Sequence, residues 1–215
     1  MGLRRTMLLL AGLAAMVGST LAGFWYHQPE ADTSWGAAPE PVQAVMWPEP
    51  RPLADFRLHD QHGAPVDPER LSGRWNLVFF GYLDCPDVCP TSLHAMRGMK
   101  ERLAERDAET MPRFVFVSVD PENDTREAIA DYLAWYDAGF VGLHGPAEEI
   151  GKLAESMAVR YQEFVDDNGN RSIDHTSSLM VVDPSGRMVG ALPPPLQPGR
   201  MVEQFDRLRE YLEHG

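Results

Sequence analysis

Short continuous apolar runs alternate along this chain with segments whose apolar residues recur at helical spacing. The runs Trp75-Asn76-Leu77-Val78-Phe79-Phe80-Gly81-Tyr82 and Phe114-Val115-Phe116-Val117-Ser118-Val119 are too short for helices and predict buried strands. Behind the first, Leu93, Met96, Met99 and Leu103 mark one face of a helix; behind the second, Ile129, Tyr132, Leu133 and Tyr136 do the same. Asp124, with Glu127 three residues on, is the expected N-cap of that second helix. Val141-Gly142-Leu143 predicts a short strand, and Ile150, Leu153, Ala154 and Met157 a third helix. Asn168-Gly169 separates two extended segments, Tyr161 to Val165 and Arg171 to Asp174, which predicts a hairpin. Asp183-Pro184-Ser185-Gly186 predicts another, between Leu179 to Val182 and Arg187 to Val189. Met201, Phe205, Leu208 and Leu212 close the chain as a helix face. At the other end, Phe56-Arg57-Leu58 alternates like a strand, Asp60 to Gly63 turns, and Ala64-Pro65-Val66 begins the return.

The early alternation of strand and helix implies a parallel pair with a right-handed crossover, to which the hairpins add antiparallel strands. The expected fold is therefore α/β, a thioredoxin-like domain with additional β-hairpins, over residues 54–215. Residues 27–53 are rich in Pro, Ala and Glu with little periodicity and read as a semi-extended tether. Residues 1–26 read as a membrane anchor. Arg4-Arg5 precede an almost entirely apolar stretch from Met7 to Trp25. As a helix it spans roughly 28 Å, close to the hydrocarbon thickness of a bilayer. Phe24-Trp25-Tyr26 suit an interfacial aromatic belt, and the arginines hold the N-terminus on the cytoplasmic side, so the domain is expected to be exported. Ser19, Ala22 and Gly23 leave a cleaved leader as the alternative. No cysteine follows the apolar stretch, which argues against a bacterial lipid anchor.

The net charge of -13 over 215 residues argues against nucleic acid or an acidic membrane surface as partner and fits a domain that stays dispersed or meets a basic partner. The two cysteines cannot build a multi-bridge scaffold. They fall together in Cys85-Pro86-Asp87-Val88-Cys89-Pro90, where a strand gives way to a helix. Positions i and i+4 share a helix face, and a helix N-terminus favours thiolate. Pro90 suits the first helical turn. A purely structural bridge across so small a loop would remove little unfolded-state entropy.

Two thiolates alone do not complete a typical copper site. His175, between the two C-terminal hairpins, is the best third ligand, because in a thioredoxin-like layout that connection passes beside the helix start. Two soft thiolates and one imidazole favour Cu(I) and also accept Cu(II), whereas structural zinc prefers a fourth protein ligand. His59, His62, His94, His144 and His214 carry less weight, as does His27 in the tether. Asp84 and Asp87 flank the cysteines and suit either a carboxylate contribution to the site, docking of a basic partner, or plain turn chemistry. Asp166-x-Asn168-x-Asn170 is rejected as a calcium loop, since Arg171 and Ser177 stand where Gly and Glu are required.

These residues also carry a family resemblance. Gly81-Tyr82-x-x-Cys85-Pro86-Asp87-x-Cys89-Pro90, Ser118-Val119-Asp120-Pro121-Glu122-x-Asp124-Thr125 and Asp174-His175-Thr176, with Gly63-x-Pro65-Val66 and Gly73-x-Trp75, resemble the Sco/SenC family over roughly Phe56 to Leu212. The resemblance implies a membrane-tethered, thioredoxin-like domain that binds copper through Cys85, Cys89 and His175. It implies delivery of copper to the copper A subunit of cytochrome c oxidase, or reduction of the cysteines there. Another copper chaperone or a thiol reductant would be the supplying partner. The bacterial inner membrane, with the domain in the periplasm, is expected in preference to the mitochondrial inner membrane. Leu83-Asp84 departs from the Thr-His of many members but leaves the three ligands untouched.

A thiol-disulfide oxidoreductase using Cys85 as attacking and Cys89 as resolving thiol is the alternative. A thiol peroxidase is disfavoured, because Tyr82 occupies the position where peroxiredoxin-type enzymes place Thr.

Overall fold

Residues 33–106, 111–166 and 168–214 are described by the computed structural model. The expected anchor, residues 1–26, lies outside them. Among the described residues no helix is long and apolar enough to cross a membrane.

The strands are β1 (Met46–Pro52), β2 (Leu58–Asp60), β3 (Pro65–Val66), β4 (Asn76–Gly81), β5 (Arg113–Ser118), β6 (Val141–His144), β7 (Tyr161–Val165), β8 (Arg171–His175), β9 (Leu179–Val182) and β10 (Arg187–Leu192). The helices are α1 (Glu40–Gln43), α2 (Val88–Ala104), α3 (Arg126–Tyr136), α4 (Ala147–Ser156) and α5 (Pro198–His214). Eight strands form one sheet in the order β1-β10-β9-β4-β5-β6-β2-β3. β4, β5 and β6 run parallel, as the strand–helix alternation requires, and β9 lies antiparallel on the other side of β4. Every residue of β4 is buried, and all of β5 beyond Arg113. That explains their unbroken apolar sequence: parallel strands at a sheet centre are covered on both faces.

The two predicted hairpins form but go to different places. β9 and β10 extend the main sheet, whereas β7 and β8 make a separate two-stranded sheet that projects its residues largely to solvent. β8 ends on His175.

Three local expectations differ from the structure. Residues expected to be tether include α1 and β1, and β1 pairs antiparallel with β10 at the sheet edge. The short N-terminal strand is Leu58–Asp60, not Phe56 to Leu58, and it pairs with both β3 and β6. The cap of α3 is Thr125, whose Oγ1 accepts from Ala128 N at 3.1 Å. Asp124 is turned inward instead and is buried.

Candidate metal centre

β4 ends at Gly81, and the chain runs through Tyr82 to Asp87 before α2 begins at Val88. Gly81 is needed here for space. A Cβ at this position would sit 2.8 Å from Cys89 Sγ and 2.9 Å from the Phe116 ring, closer than carbon can approach either without displacement. Its absence lets the Cys89 sulfur sink against the end of β4. Cys89 lies in the first turn of α2 and is fully buried, while Cys85, in the loop, is half-buried. Cys89 N donates to Cys85 Sγ at 3.3 Å, so the helix start does point a free N–H at a sulfur.

β8 delivers the imidazole to the same spot. His175 Nε2 lies 3.5 Å from Cys89 Sγ. Its other nitrogen, Nδ1, lies 3.1 Å from the carbonyl oxygen of Thr176. A carbonyl can only accept, so Nδ1 carries the proton and Nε2 presents its lone pair to the sulfurs. The ring is wedged edge-on against Phe79 and Tyr82, with centroids 5.7 and 6.2 Å away. Tyr82 also reaches across to β8, where its hydroxyl accepts from Ile173 N at 3.3 Å.

The donor atoms of Cys85, Cys89 and His175 all lie within 4.8 Å of one another. Metal–sulfur and metal–nitrogen bonds of about 2.0–2.3 Å hold the donors of one ion no more than about 4.6 Å apart. Small side-chain rotations therefore suffice to close all three on a shared ion. The chemistry of the set, two soft sulfurs and one imidazole without a carboxylate, fits copper.

The protonation states are less primed than the helix-start argument alone expects. Burial pushes the Cys89 thiol well above its ordinary value, reinforced by its hydrogen bond with Cys85. Burial likewise lowers His175 against the opposing Thr176 and Asp174 contributions. The resting site thus holds a neutral thiol at Cys89 and a neutral imidazole. A metal must displace the thiol proton to bind.

Asp84 and Asp87 are exposed and outside the donor set. His59, His62 and His94 are also exposed, and His94 packs edge-on against Tyr136. His144 bonds the Pro121 carbonyl at 3.2 Å. The Asp166 carboxylate accepts from Asn168 N and Asn170 N, an ordinary turn.

Two carboxylates in the β5–α3 loop were not singled out by sequence reasoning as parts of the site. Asp124 accepts from Ser118 Oγ at 2.6 Å and from Leu83 N at 3.3 Å, next to the cysteine loop. Asp120 is gripped by Arg171 Nη1 and Nη2 at 2.5 and 2.8 Å, on the strand that carries His175. A Ser-x-Asp-Pro run at a strand end hints at a loop built around its carboxylates. No local pattern names Arg171 as the partner of Asp120.

The family model for SCO1/SenC matches residues 48–210. The chain belongs to the SCO1/SenC family. Among its relatives is a putative copper-binding protein of Stutzerimonas stutzeri, 31% identical over 195 residues, covering 91% of this chain and 89% of that one. The mitochondrial SCO1 homolog of Mus musculus is 31% identical over 181 residues, covering 84% of this chain but 62% of the mouse protein. The structure of Bradyrhizobium japonicum ScoI with copper bound superposes with a TM-score of 0.64 at 34% identity, over 74% of this chain and 99% of that one. The thioredoxin-like layout with added hairpins is thus the fold of a SCO1/SenC domain. Within it, the Cys-x-x-x-Cys segment and the distal histidine of this chain converge at one point.

Proposed function

We propose that this SCO1/SenC protein is a copper carrier that binds the ion through Cys85, Cys89 and His175 and delivers it to the copper A centre of cytochrome c oxidase. The carrying observation is the convergence of two sulfurs and one imidazole, drawn from α2 and β8, within 4.8 Å. A three-ligand site with one partly exposed cysteine suits transfer. An incoming thiolate can enter the coordination sphere at Cys85 before the buried Cys89 lets go. The apolar N-terminal stretch supports a membrane-anchored carrier with its domain on the exported side, in the bacterial periplasm. The copper bound in the Bradyrhizobium japonicum ScoI structure supports copper as the ion carried.

Copper titration of the reduced protein against a competing Cu(I) chelator tests this reading. The wild type is expected to bind one equivalent tightly. His175→Ala should weaken binding by about tenfold or more, as loss of a ligand or its close support typically does. Unchanged affinity in His175→Ala would overturn the three-ligand site.

A second reading rests on the asymmetry of the cysteines. Cys85 is partly exposed and Cys89 is buried, with its own N–H on the Cys85 sulfur. This arrangement suits Cys85 as the thiol that attacks a partner disulfide and Cys89 as the one that resolves the mixed disulfide. That exchange leaves the recipient's cysteines as thiols and Cys85 and Cys89 as a disulfide, so a separate thiol reductant must restore the pair before it can carry copper. The His175→Ala variant, stripped of tight copper binding, should retain this exchange.

A further inference from the structure

The site is assembled from two parts of the chain far apart in sequence, and a third part holds both. The cysteine loop follows β4; the histidine ends β8 on a hairpin that is not part of the main sheet. Such a hairpin is not fixed by sheet hydrogen bonds to the strands that carry the thiols. Between the two lies the β5–α3 loop, residues 119–125, with its pair of buried carboxylates.

One arm of this loop holds the cysteines. The Asp124 carboxylate accepts from Leu83 N through both oxygens, at 3.4 and 3.3 Å, two residues before Cys85. The other arm holds the hairpin. Asp120 receives the two forked bonds from Arg171, and the same guanidinium continues to Glu163 on the partner strand at 2.8 Å, so both strands of the hairpin are gripped. Asn123 steadies Asp120 from the side at 2.8 Å. The arms are joined at their root: Ser118 Oγ donates to Asp124 and accepts from Asp120 N at 3.1 Å. The Asp120 side chain is 2% exposed and that of Arg171 33%, so the pair is partly shielded from solvent. A bidentate guanidinium–carboxylate contact fixes direction as well as distance.

We infer that Asp120 and Arg171 are positioning residues for the copper site: their ion pair holds the β7–β8 hairpin where His175 meets the two sulfurs, and releasing it converts a three-ligand site into a two-thiol site. Arg171 lies beside the hairpin turn and His175 at the hairpin base, so the pair acts along the length of β8: with the far end freed, the strand can roll about its own axis and turn the imidazole away from the sulfurs. The edge-on Tyr82 ring and the Thr176 carbonyl orient the imidazole locally. The ion pair is the tie between the far end of the hairpin and the body of the domain. The inference rests on the copper reading given above.

The test uses the full chain loaded with copper and five variants: Arg171→Ala, Arg171→Lys, Asp120→Asn, His175→Ala and the Arg171→Ala/His175→Ala double. Pulsed electron paramagnetic resonance of the Cu(II) form reads the imidazole nitrogen coupling, and chelator competition reads the affinity. Wild type should show the nitrogen coupling. Arg171→Ala should weaken or lose it and bind copper about tenfold less tightly, in the range found when the support of a metal ligand is removed. Arg171→Lys should recover part of both. The double variant should bind no more weakly than His175→Ala alone, because Arg171 acts through the histidine. Asp120→Asn, which cuts the same tie from the buried side, should reproduce the Arg171→Ala spectrum. Full nitrogen coupling and unchanged affinity in Arg171→Ala would overturn the inference while leaving the copper reading intact. So would an equal loss of affinity whether or not His175 is present. Absence of nitrogen coupling in the wild type would instead overturn the copper reading, and the inference with it.

Discussion

At the residue scale, the two carboxylates of the β5–α3 loop have opposite consequences for stability. Burial pushes the Asp120 carboxyl up, but the hydrogen bonds from Arg171 and Asn123 outweigh burial and hold it below the ordinary value of 3.8. A group depressed in the folded state stabilises the fold above its unfolded value, and that contribution is lost as pH falls through the depressed one. Asp124 differs: burial dominates the bonds from Ser118 and Leu83 and raises it. A raised group favours the fold below its unfolded value, and this is lost as pH rises through the folded one. Asp120→Asn should therefore destabilise the protein at pH 7 by about 1–3 kcal/mol, the range for hydrogen bonds to charged groups. The loss should shrink once the pH falls below 3.8. Asp124→Asn should cost distinctly less at pH 7, since an amide oxygen can still accept from Leu83 and Ser118 without burying a charge. Urea unfolding across pH measures both. Equal losses at neutral pH would contradict the assignment.

The same scale shows what the sequence could not reveal about the thiols. Cys85, Cys89 and His175 were legible because their residue types and placement allow few other uses. Their protonation was not, because the helix start that favours thiolate competes with burial, and only packing decides which wins. The bare Gly81 lets the Cys89 sulfur lie against the end of β4, fully buried, and burial prevails.

At the element scale, strands β4, β5, β9 and β10 and helices α2 to α5 could be read directly, because each has an unambiguous period or turn signal. β1 could not. Met46-Trp47-Pro48-Glu49-Pro50-Arg51-Pro52 has three prolines and no alternation, which ordinarily signals a linker. It is nonetheless an edge strand, where missing N–H groups can face solvent instead of a neighbour. Its pairing with β10 is interrupted between Met46 and Arg51, where the prolines crowd. Val42, Val45 and Met46 are buried against the rest of the core. A chain starting at Ala54 should be less stable than one starting at Thr33 by about 3 kcal/mol or more, given roughly 1.5–3 kcal/mol for each large apolar side chain buried. Urea midpoints compare the two. Equal midpoints would mean that residues 33–53 behave as a tether after all.

The cap of α3 makes a similar point. Asp124 and Thr125 are both good caps by type. Thr125 takes the role and leaves Asp124 to the buried network. Asp ranks above Thr as a cap, so the choice is made by what lies behind the two residues, here Leu83 N and Ser118 Oγ on Asp124.

At the scale of the whole molecule, the design is a rigid sheet that carries the thiols and a separate hairpin that brings the histidine to them. The parallel centre, β4 to β6, is covered on both faces and positions Cys85 and Cys89 at its end. The hairpin stands outside that sheet and is held by side chains: Tyr82, Asp120 and Arg171. The proposed carrier role benefits from this division. A carrier must hold copper firmly enough to exclude water and solutes, yet release it to a partner, and a ligand on a separately held element can be withdrawn without disturbing the core. The convergence of all three donors on one ion is the claim on which the rest depends. X-ray absorption at the copper edge of the Cu(I)-loaded protein tests it most directly. Two sulfur scatterers and one imidazole nitrogen within about 2.0–2.3 Å of a single copper are the predicted result. A first shell of sulfur alone, unchanged when His175 is replaced by Ala, would contradict it.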